Sequence, residues 1–295
     1  MNAKKWMALM LAAVLSLALV GCGGGTEATD ATTPEGTTEG AETELTGSIN
    51  VEGSDTLVNV SQAWAEVFQT ENPGVMIAVK GGGSGTGIAA LINGTVDFAN
   101  ASREMKDEEV AEAQGKGVNP VETEVAKDGI AVVVNSANGV EELSLEQLGK
   151  IYRGEITNWK DVGGTDADIV ILSRDSSSGT YEFFKEAVVG KDLEYAKEAK
   201  LLASTQAIVQ ETKDNPNAIG YIGLGYVTPD VKVVKIDGIA ASIETALDGS
   251  YVLSRGLYMY SNGAPSGVMS AYIDFILSPE GQAVVADQGF VPLSQ

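Results

Sequence analysis

The chain has 295 residues, a formal charge of −22, no histidine and a single cysteine, Cys22. The missing histidine excludes Ser-His-Asp and Cys-His catalysis and His-based zinc sites, and a lone cysteine has no disulfide partner. The acidic balance, −24 once Lys4 and Lys5 are set aside with the N-terminal segment, argues against nucleic-acid binding and against a polybasic membrane patch. It does not argue against a small anion, because remote surface charge is screened beyond about 10 Å at ~0.1 M salt while local dipoles and one or two arginines act at contact. Neither GxxxxGK[ST] nor GxGxxG occurs, so a nucleotide site has no sequence support.

At the N-terminus, Lys4 and Lys5 precede an apolar run from Trp6 to Val20, long enough for a signal-peptide core and too short to span a bilayer comfortably. Residues 1–21 are therefore expected to be a signal peptide. The run ends in Leu19-Val20-Gly21-Cys22, which resembles a bacterial lipobox and implies cleavage before Cys22 and its acylation, palmitate included. Residues 22–46 are Gly, Thr, Glu, Ala and Pro with almost nothing apolar, a composition suited to a disordered tether.

Beyond the tether the pattern alternates strand and helix. Ser48 to Glu52 reads as a strand, and the next segment places Val60, Trp64, Val67 and Phe68 on one helical face until Asn72-Pro73-Gly74 stops it. A second strand, Val75 to Val79, leads through Gly81–Gly87 into a short helix from Ile88. Val96 to Ala99 is a third strand, followed by Asn100-Ala101-Ser102-Arg103 and an acidic helix near Lys106. Ile130 to Val134 has the continuous apolar character of a buried strand, and Ser144 to Gln147 fits a capping box. Ile169 to Leu172 is a strand; Asn217 to Tyr226 is apolar but interrupted by glycine; Leu257 to Tyr260 is a strand; Val268 to Leu277 is an amphipathic helix; Pro279 opens a last helix. Tyr and Trp are expected in core packing.

The stretch Arg174-Asp175-Ser176-Ser177-Ser178-Gly179-Thr180 runs from a strand into an apolar-periodic helix beginning at Tyr181. Such a turn can hold an oxyanion: free N–H groups of the first helical turn, the helix dipole, hydroxyls, and the planar fork of Arg174 all favour negative charge. Taken alone, it is equally an N-capped helix beside a surface arginine. Three more turns of this type follow strands, at Gly53–Thr56, Gly81–Gly87 and Asn100–Arg103. Four of them in an alternating chain suggest strand ends gathered around a crevice, where open α/β sheets bind ligands.

From Ile49 to Leu293 the chain resembles the lipoprotein phosphate-binding subunit of bacterial ABC importers. The resemblance rests on Gly53-Ser54-Asp55-Thr56-Leu57, Gly83-Ser84-Gly85-Thr86-Gly87, Asp97-Phe98 with Ser102-Arg103, Ile156-Thr157-Asn158-Trp159, the Arg174 to Thr180 loop and Ala218-Ile219-Gly220-Tyr221. Each is weak singly; their order and spacing are specific. It implies an α/β, two-lobed periplasmic-binding-protein fold of type II, each lobe a mixed sheet flanked by helices. Lobe I would be residues 47–128 plus 255–295 and lobe II residues 129–254, with the ligand in the cleft between them. The implied phosphate ligands are Thr56 and the Leu57 N–H, Ser84, Arg174, Ser178, Gly179 and Thr180. It further implies a monomer with no enzymatic activity, cofactor or metal, partnered by inorganic phosphate and by permease subunits, and lipid-anchored on the extracytoplasmic face of the cell membrane.

One departure affects selectivity. Many members carry an aspartate that accepts the proton of bound phosphate, and the matching position here is Ser102, beside Arg103. Asp55, the only acid in the Gly53–Thr56 turn, is the candidate to take over that role, since a fixed carboxylate accepts a hydrogen bond from phosphate and repels sulfate; it could equally cap the next helix. Asp175 is then expected to orient Arg174. A receptor for sulfate or molybdate, and a surface phosphate-ester hydrolase using a loop serine, remain the alternatives.

Overall fold

The computed structural model describes residues 44–293. The expected signal peptide, the expected acylation site Cys22 and the expected tether as far as residue 43 lie outside the described residues. Residues 44–46, expected to close the tether, already meet the body: Leu45 packs against the largest core cluster, and Gly47 N–H donates to Gly74 O at 3.2 Å.

The elements follow in order: β1 (Gly47–Gly53), α1 (Val58–Glu71), β2 (Val75–Lys80), α2 (Ser84–Ile92), β3 (Phe98–Ala101), α3 (Asp107–Gly115), β4 (Pro120–Asn135), β5 (Glu142–Leu143) and α4 (Leu145–Tyr152). Then come β6 (Val170–Arg174), α5 (Gly179–Phe184), β7 (Lys200–Leu202), α6 (Thr205–Asp214), β8 (Ala218–Gly223), β9 (Val231–Ile236), α7 (Ile243–Leu247), β10 (Ser254–Asn262), α8 (Val268–Leu277) and α9 (Pro279–Asp287). The strands line up as β2-β1-β3-β10-β4-β8-β6-β7, with β9 on β4 and β5. β1 is parallel to β2 and β3; β10 runs antiparallel to β3 and β4. β6 is parallel to β7 and β8.

The long strand β4 joins two pairing environments. Its first part, Pro120 to Gly129, pairs with β10, and there Glu122 and Glu124 alternate outward in the manner of a strand covered on one face. Its second part pairs with β8 from Ile130 and with β9 from Val132. That part, Ile130 to Asn135, is buried throughout, as a continuous apolar run predicts.

The core divides accordingly. Trp64, Phe68, Phe98, Tyr272 and Phe290 belong to the largest cluster, where the Trp64 indole N–H donates to Gly281 O at 2.7 Å. Tyr152, Trp159, Phe184, Tyr221 and Tyr251 anchor a second cluster behind β6 and β8. Each such side chain contributes about 1.5–3 kcal/mol by leaving water, so aromatic residues set the core as expected.

Two boundaries differ from the sequence pattern. α2 starts at Ser84 instead of Ile88, so half of the glycine-rich run is helical. Glycine is a poor helix former, but at Gly87 a Cβ would lie 2.3 Å from Glu52 O, so only glycine lets α2 press against β1. Val67 is only partly buried, and Ala65 takes its place on the inner face of α1.

Candidate functional site

The site is assembled at the ends of β1, β3 and β6 and at the start of α2. Parallel pairing sets Gly53 opposite Asn100. Gly53 has φ 144°, and a Cβ there would lie 2.1 Å from Asn100 O. The close approach lets Ser54 N–H donate to Asn100 O at 2.8 Å and carries the Ser54 hydroxyl to Ser102 Oγ at 2.9 Å. Next to them, Gly83 N–H donates to Gly53 O, and Ser84 Oγ accepts from Ser102 N–H at 3.0 Å. Ser54, Ser84 and Ser102 are thus one buried hydroxyl group of three, drawn from three turns.

The β6–α5 turn meets this group from the opposite side. Gly85 N–H donates to Ser177 O at 3.0 Å, and the Ser177 hydroxyl donates to Gly82 O at 3.0 Å. A Cβ on Gly179 would lie 2.3 Å from Ser84 Oγ and 2.8 Å from Ser102 Oγ, so the start of α5 sits directly on the serines. Thr56 and Thr180 hydroxyls bond each other at 2.9 Å. Ser178 caps α5, its Oγ accepting Tyr181 N–H at 3.4 Å. The first-turn N–H groups of Gly179 and Thr180 have no intrahelical acceptor by the geometry of a helix start. The arrangement is a water-excluded nest of hydroxyls and a helix N-terminus, suited to an oxyanion.

Two arginines are buried around the nest, out of four in the chain. Arg174, at the end of β6, donates from Nη1 to Thr205 Oγ1 (2.8 Å), from Nη2 to Ala203 O (3.0 Å) and from Nε to Leu202 O (3.3 Å). Its backbone N–H donates to the Tyr221 hydroxyl, which also bonds Ser173 Oγ, and Phe184 stacks on Tyr221 with ring centres 3.9 Å apart. Burial pushes the Tyr221 hydroxyl up, so it stays neutral and serves as a fixed hydrogen-bonding support.

Arg255, at the start of β10, reaches the nest itself. Its Nη2 donates to Thr180 Oγ1 at 2.9 Å and approaches Thr56 Oγ1 at 3.4 Å, while Nη1 donates to Ser102 O at 2.9 Å. Asp128 holds it, accepting from Nη2 (2.9 Å) and Nε (3.3 Å), and also accepts Leu224 N–H at 3.0 Å. Burial pushes the Arg255 guanidinium down and the Asp128 carboxyl up, each opposed by the other's charge; Arg174 adds to the lowering of Arg255.

Of the residues expected from sequence, Thr56, Ser84, Ser102, Ser178, Gly179 and Thr180 come together. Arg174 lies behind them on a different set of acceptors. Leu57 is in the core, and its N–H donates to Ser54 O at 3.1 Å, so that donor is engaged within its own turn. Arg103 is committed to Glu109, to which both Nη atoms donate at 2.8 and 2.7 Å. It lines a pocket of about 410 Å³ with Lys106, Glu182, Phe183, Arg255 and Tyr258. Asp55 and Asp175 exchange the expected role of orienting Arg174. Asp55 Oδ2 accepts Thr205 N–H at 2.7 Å and lies 3.4 Å from Arg174 Nη1, whereas Asp175 turns back onto Ser177. The reason is topological: the start of α6 carries Thr205 and Arg174 to the β1 turn, which no local spacing reveals.

Ser54, Asp128 and Arg255 were not singled out as site residues. Asp128 and Arg255 had as their signal an acid directly before the apolar run from Ile130 and an arginine opening a strand, each costly to bury without a partner, while Ser54 stood only within the Gly53–Leu57 motif. Among the described residues no group of three acids or cysteines is placed to hold a metal, and no helix is long and apolar enough to cross a membrane.

A mixed α/β body with a buried oxyanion-type nest at converging strand ends defines a binding receptor of the periplasmic type. Residues 31–280 match the PBP superfamily domain. The chain is 31% identical to the phosphate-binding protein PstS of Bacillus subtilis, covering 100% of this chain and 96% of that one, and 36% identical to PstS of Staphylococcus saprophyticus, covering 98% and 91%. Its fold matches a substrate-binding protein from Clostridium perfringens solved with bound phosphate, with a TM-score of 0.79 and 37% identity over 84% of this chain and 100% of that one. An ABC-type phosphate transport receptor from Vibrio cholerae matches with a TM-score of 0.68 and 30% identity, over 82% and 99%. The chain belongs to the PstS phosphate-binding proteins of the PBP superfamily.

Proposed function

We propose that the protein captures inorganic phosphate outside the cytoplasm and delivers it to the permease of an ABC importer, without catalysing a reaction. The observation that carries this is the nest in which Thr56, Ser84, Ser102 and Thr180 hydroxyls converge on the N-terminus of α5 beside Arg255. Micromolar capture needs about 8 kcal/mol, and charge-assisted hydrogen bonds contribute on the order of 1.5–3 kcal/mol each before ordering costs. Several such donors in a dry site reach that value. Phosphate also suits the donor-rich lining, since a dianion stripped of water needs nearly every oxygen paired.

Lobe I is residues 47–128 with 255–295, and lobe II is residues 129–254. In support of this division, the two crossing points are neighbours in the β4–β10 ladder, where Asp128 faces Arg255 and Gly129 faces Ser254. Thr56, Ser84 and Ser102 then belong to one lobe and Gly179 and Thr180 to the other, so an anion bound between them holds the cleft shut. The lipid anchor at Cys22 would keep the receptor at the membrane surface.

Calorimetric titration with phosphate, arsenate, sulfate and molybdate tests the function. Stoichiometric binding of phosphate, with no release of phosphate from esters, is expected. Tighter binding of sulfate or molybdate would make the protein a receptor for that anion, and ester turnover would make it a hydrolase.

A further inference from the structure

We propose that Arg255, positioned by Asp128, is a second phosphate-binding cation of the nest and contacts the anion together with Thr56 and Thr180. The proposal deepens the phosphate reading and rests on it.

Arg255 is almost fully enclosed, its side chain 3% exposed, and Asp128 is at 0%. A buried pair of this kind is costly to form and is retained for a reason beyond stability. The hydrogen bonds point to that reason. A guanidinium held only as a structural counter-ion would turn all its donors to the carboxylate and to backbone carbonyls, as Nε and Nη1 do with Asp128 and Ser102 O. Here Nη2 is shared between Asp128 Oδ2 and the hydroxyls of Thr180 and Thr56. Those hydroxyls also bond each other at 2.9 Å. A hydroxyl can rotate to donate, so an oxygen placed among the three groups would take a hydrogen bond from each threonine and, as the Nη2 proton now given to Thr180 turns to it, a charge-assisted one from Arg255.

Both carboxylate oxygens of Asp128 are committed within the fold: one takes Leu224 N–H and the other takes Arg255. Its part is to aim the guanidinium. Arg174, the first cation, is engaged to the same degree, by Leu202 O, Ala203 O, Thr205 Oγ1 and Asp55, but on acceptors other than Thr56 and Thr180. Arg255 also lines the pocket beside the nest, its guanidinium carbon 5.6 Å from the Phe183 ring centre. It touches both that pocket and the threonines. Because it sits at the crossing point and touches Thr56 and Ser102 of one lobe and Thr180 of the other, one cation senses both halves of the nest.

The test is calorimetry of the full chain with inorganic phosphate across pH 6–8, with melting curves in the absence of phosphate as the control for folding. Arg255→Gln combined with Asp128→Asn replaces the ion pair by a neutral pair of similar shape; Arg255→Lys keeps the charge and removes the fork. The double variant is expected to fold and to bind phosphate at least ~100-fold more weakly, and Arg255→Lys at least ~10-fold more weakly. Wild-type affinity should rise with pH as phosphate becomes a dianion, and this rise should flatten in the double variant, which a purely structural pair would not cause. A folded double variant with wild-type affinity and pH profile overturns the proposal. If the double variant does not fold, wild-type affinity in Arg255→Lys overturns it by itself. A wild-type chain that binds no phosphate at all refutes the function instead, and the proposal falls with it.

Discussion

Asp55 is where a single side chain carries most of the local design. Its carboxylate takes Thr205 N–H and faces Arg174, and the Tyr226 hydroxyl donates to its backbone carbonyl at 2.8 Å. A carboxylate so placed fixes the arginine more than it screens ligands. Replacement by asparagine keeps the shape but weakens the hold on Arg174 and Thr205. Asp55→Asn is expected to weaken phosphate binding by roughly tenfold or more, the scale of one charge-assisted bond, and to leave the ratio of phosphate to sulfate affinity unchanged. Paired titrations with both anions check this. A selective gain in sulfate binding would return Asp55 to the proton-acceptor role that its place in the Gly53–Thr56 turn suggested. The residues legible from sequence at this scale were those with local signals, the hydroxyls and glycines at strand ends. Arg255 and Asp128 were not legible as a pair, because 126 intervening residues separate them in the chain while the β4–β10 register sets them face to face.

Among the elements, α5 and α3 show how a helix start does chemical work. α5 can approach the serines only because Gly179 has no side chain. Gly179→Ala would force a methyl into Ser84 and Ser102, and if these contacts cross between the proposed lobes, the change should prevent closure more than folding. Phosphate binding is expected to fall by at least ~100-fold, equivalent to about 2.7 kcal/mol, with ligand-free melting nearly unchanged; a large loss of ligand-free stability would mean that the contact belongs to the folded core instead. At α3, Glu109 takes both Nη atoms of Arg103 and the Lys106 N–H. Burial by itself would raise its carboxyl; the Arg103 bond and charge outweigh it and hold the carboxyl below its ordinary value. A carboxylate lowered on folding stabilises above the unfolded value, about 4.3, and that contribution disappears as pH falls through the folded value. Glu109→Gln should therefore lower the melting temperature at pH 7, and the two melting curves should converge as pH drops below ~4. A difference that persisted in acid would assign the effect to packing.

For the whole molecule, the expectation is ligand-linked closure. Phosphate at 100 times its dissociation constant should add about 2.7 kcal/mol to stability, visible as a raised melting temperature. Small-angle scattering should show contraction on binding if the cleft closes between the proposed lobes. An unchanged radius of gyration with tight binding would mean that the lobes are already closed without ligand. If the proposed lobes part, the Lys106–Glu182 ion pair at 3.1 Å and the Ser177 contacts to Gly82 and Gly85 are among the bonds to be broken, with the buried Thr56–Thr180 and Asp55–Thr205 bonds. The exposed ion pair contributes little, so the buried bonds and the anion supply the difference between open and closed.

The chain's own order of residues determined the alternation of strand and helix, the capping box at Ser144, the proline that opens α9 and the four hydroxyl-bearing turns. Those features are local: periodicity, capping and backbone freedom act over a few residues. Tertiary structure alone decided that α2 begins inside the glycine run, that Arg103 belongs to Glu109, that Asp55 and not Asp175 holds Arg174, and that Arg255 reaches the nest. Each of these is a contact between segments far apart in sequence, made by sheet register and by the close approach that Gly53, Gly87 and Gly179 permit. Charge partners are chosen by proximity in space, and a buried charge takes whichever opposite charge the fold brings within reach.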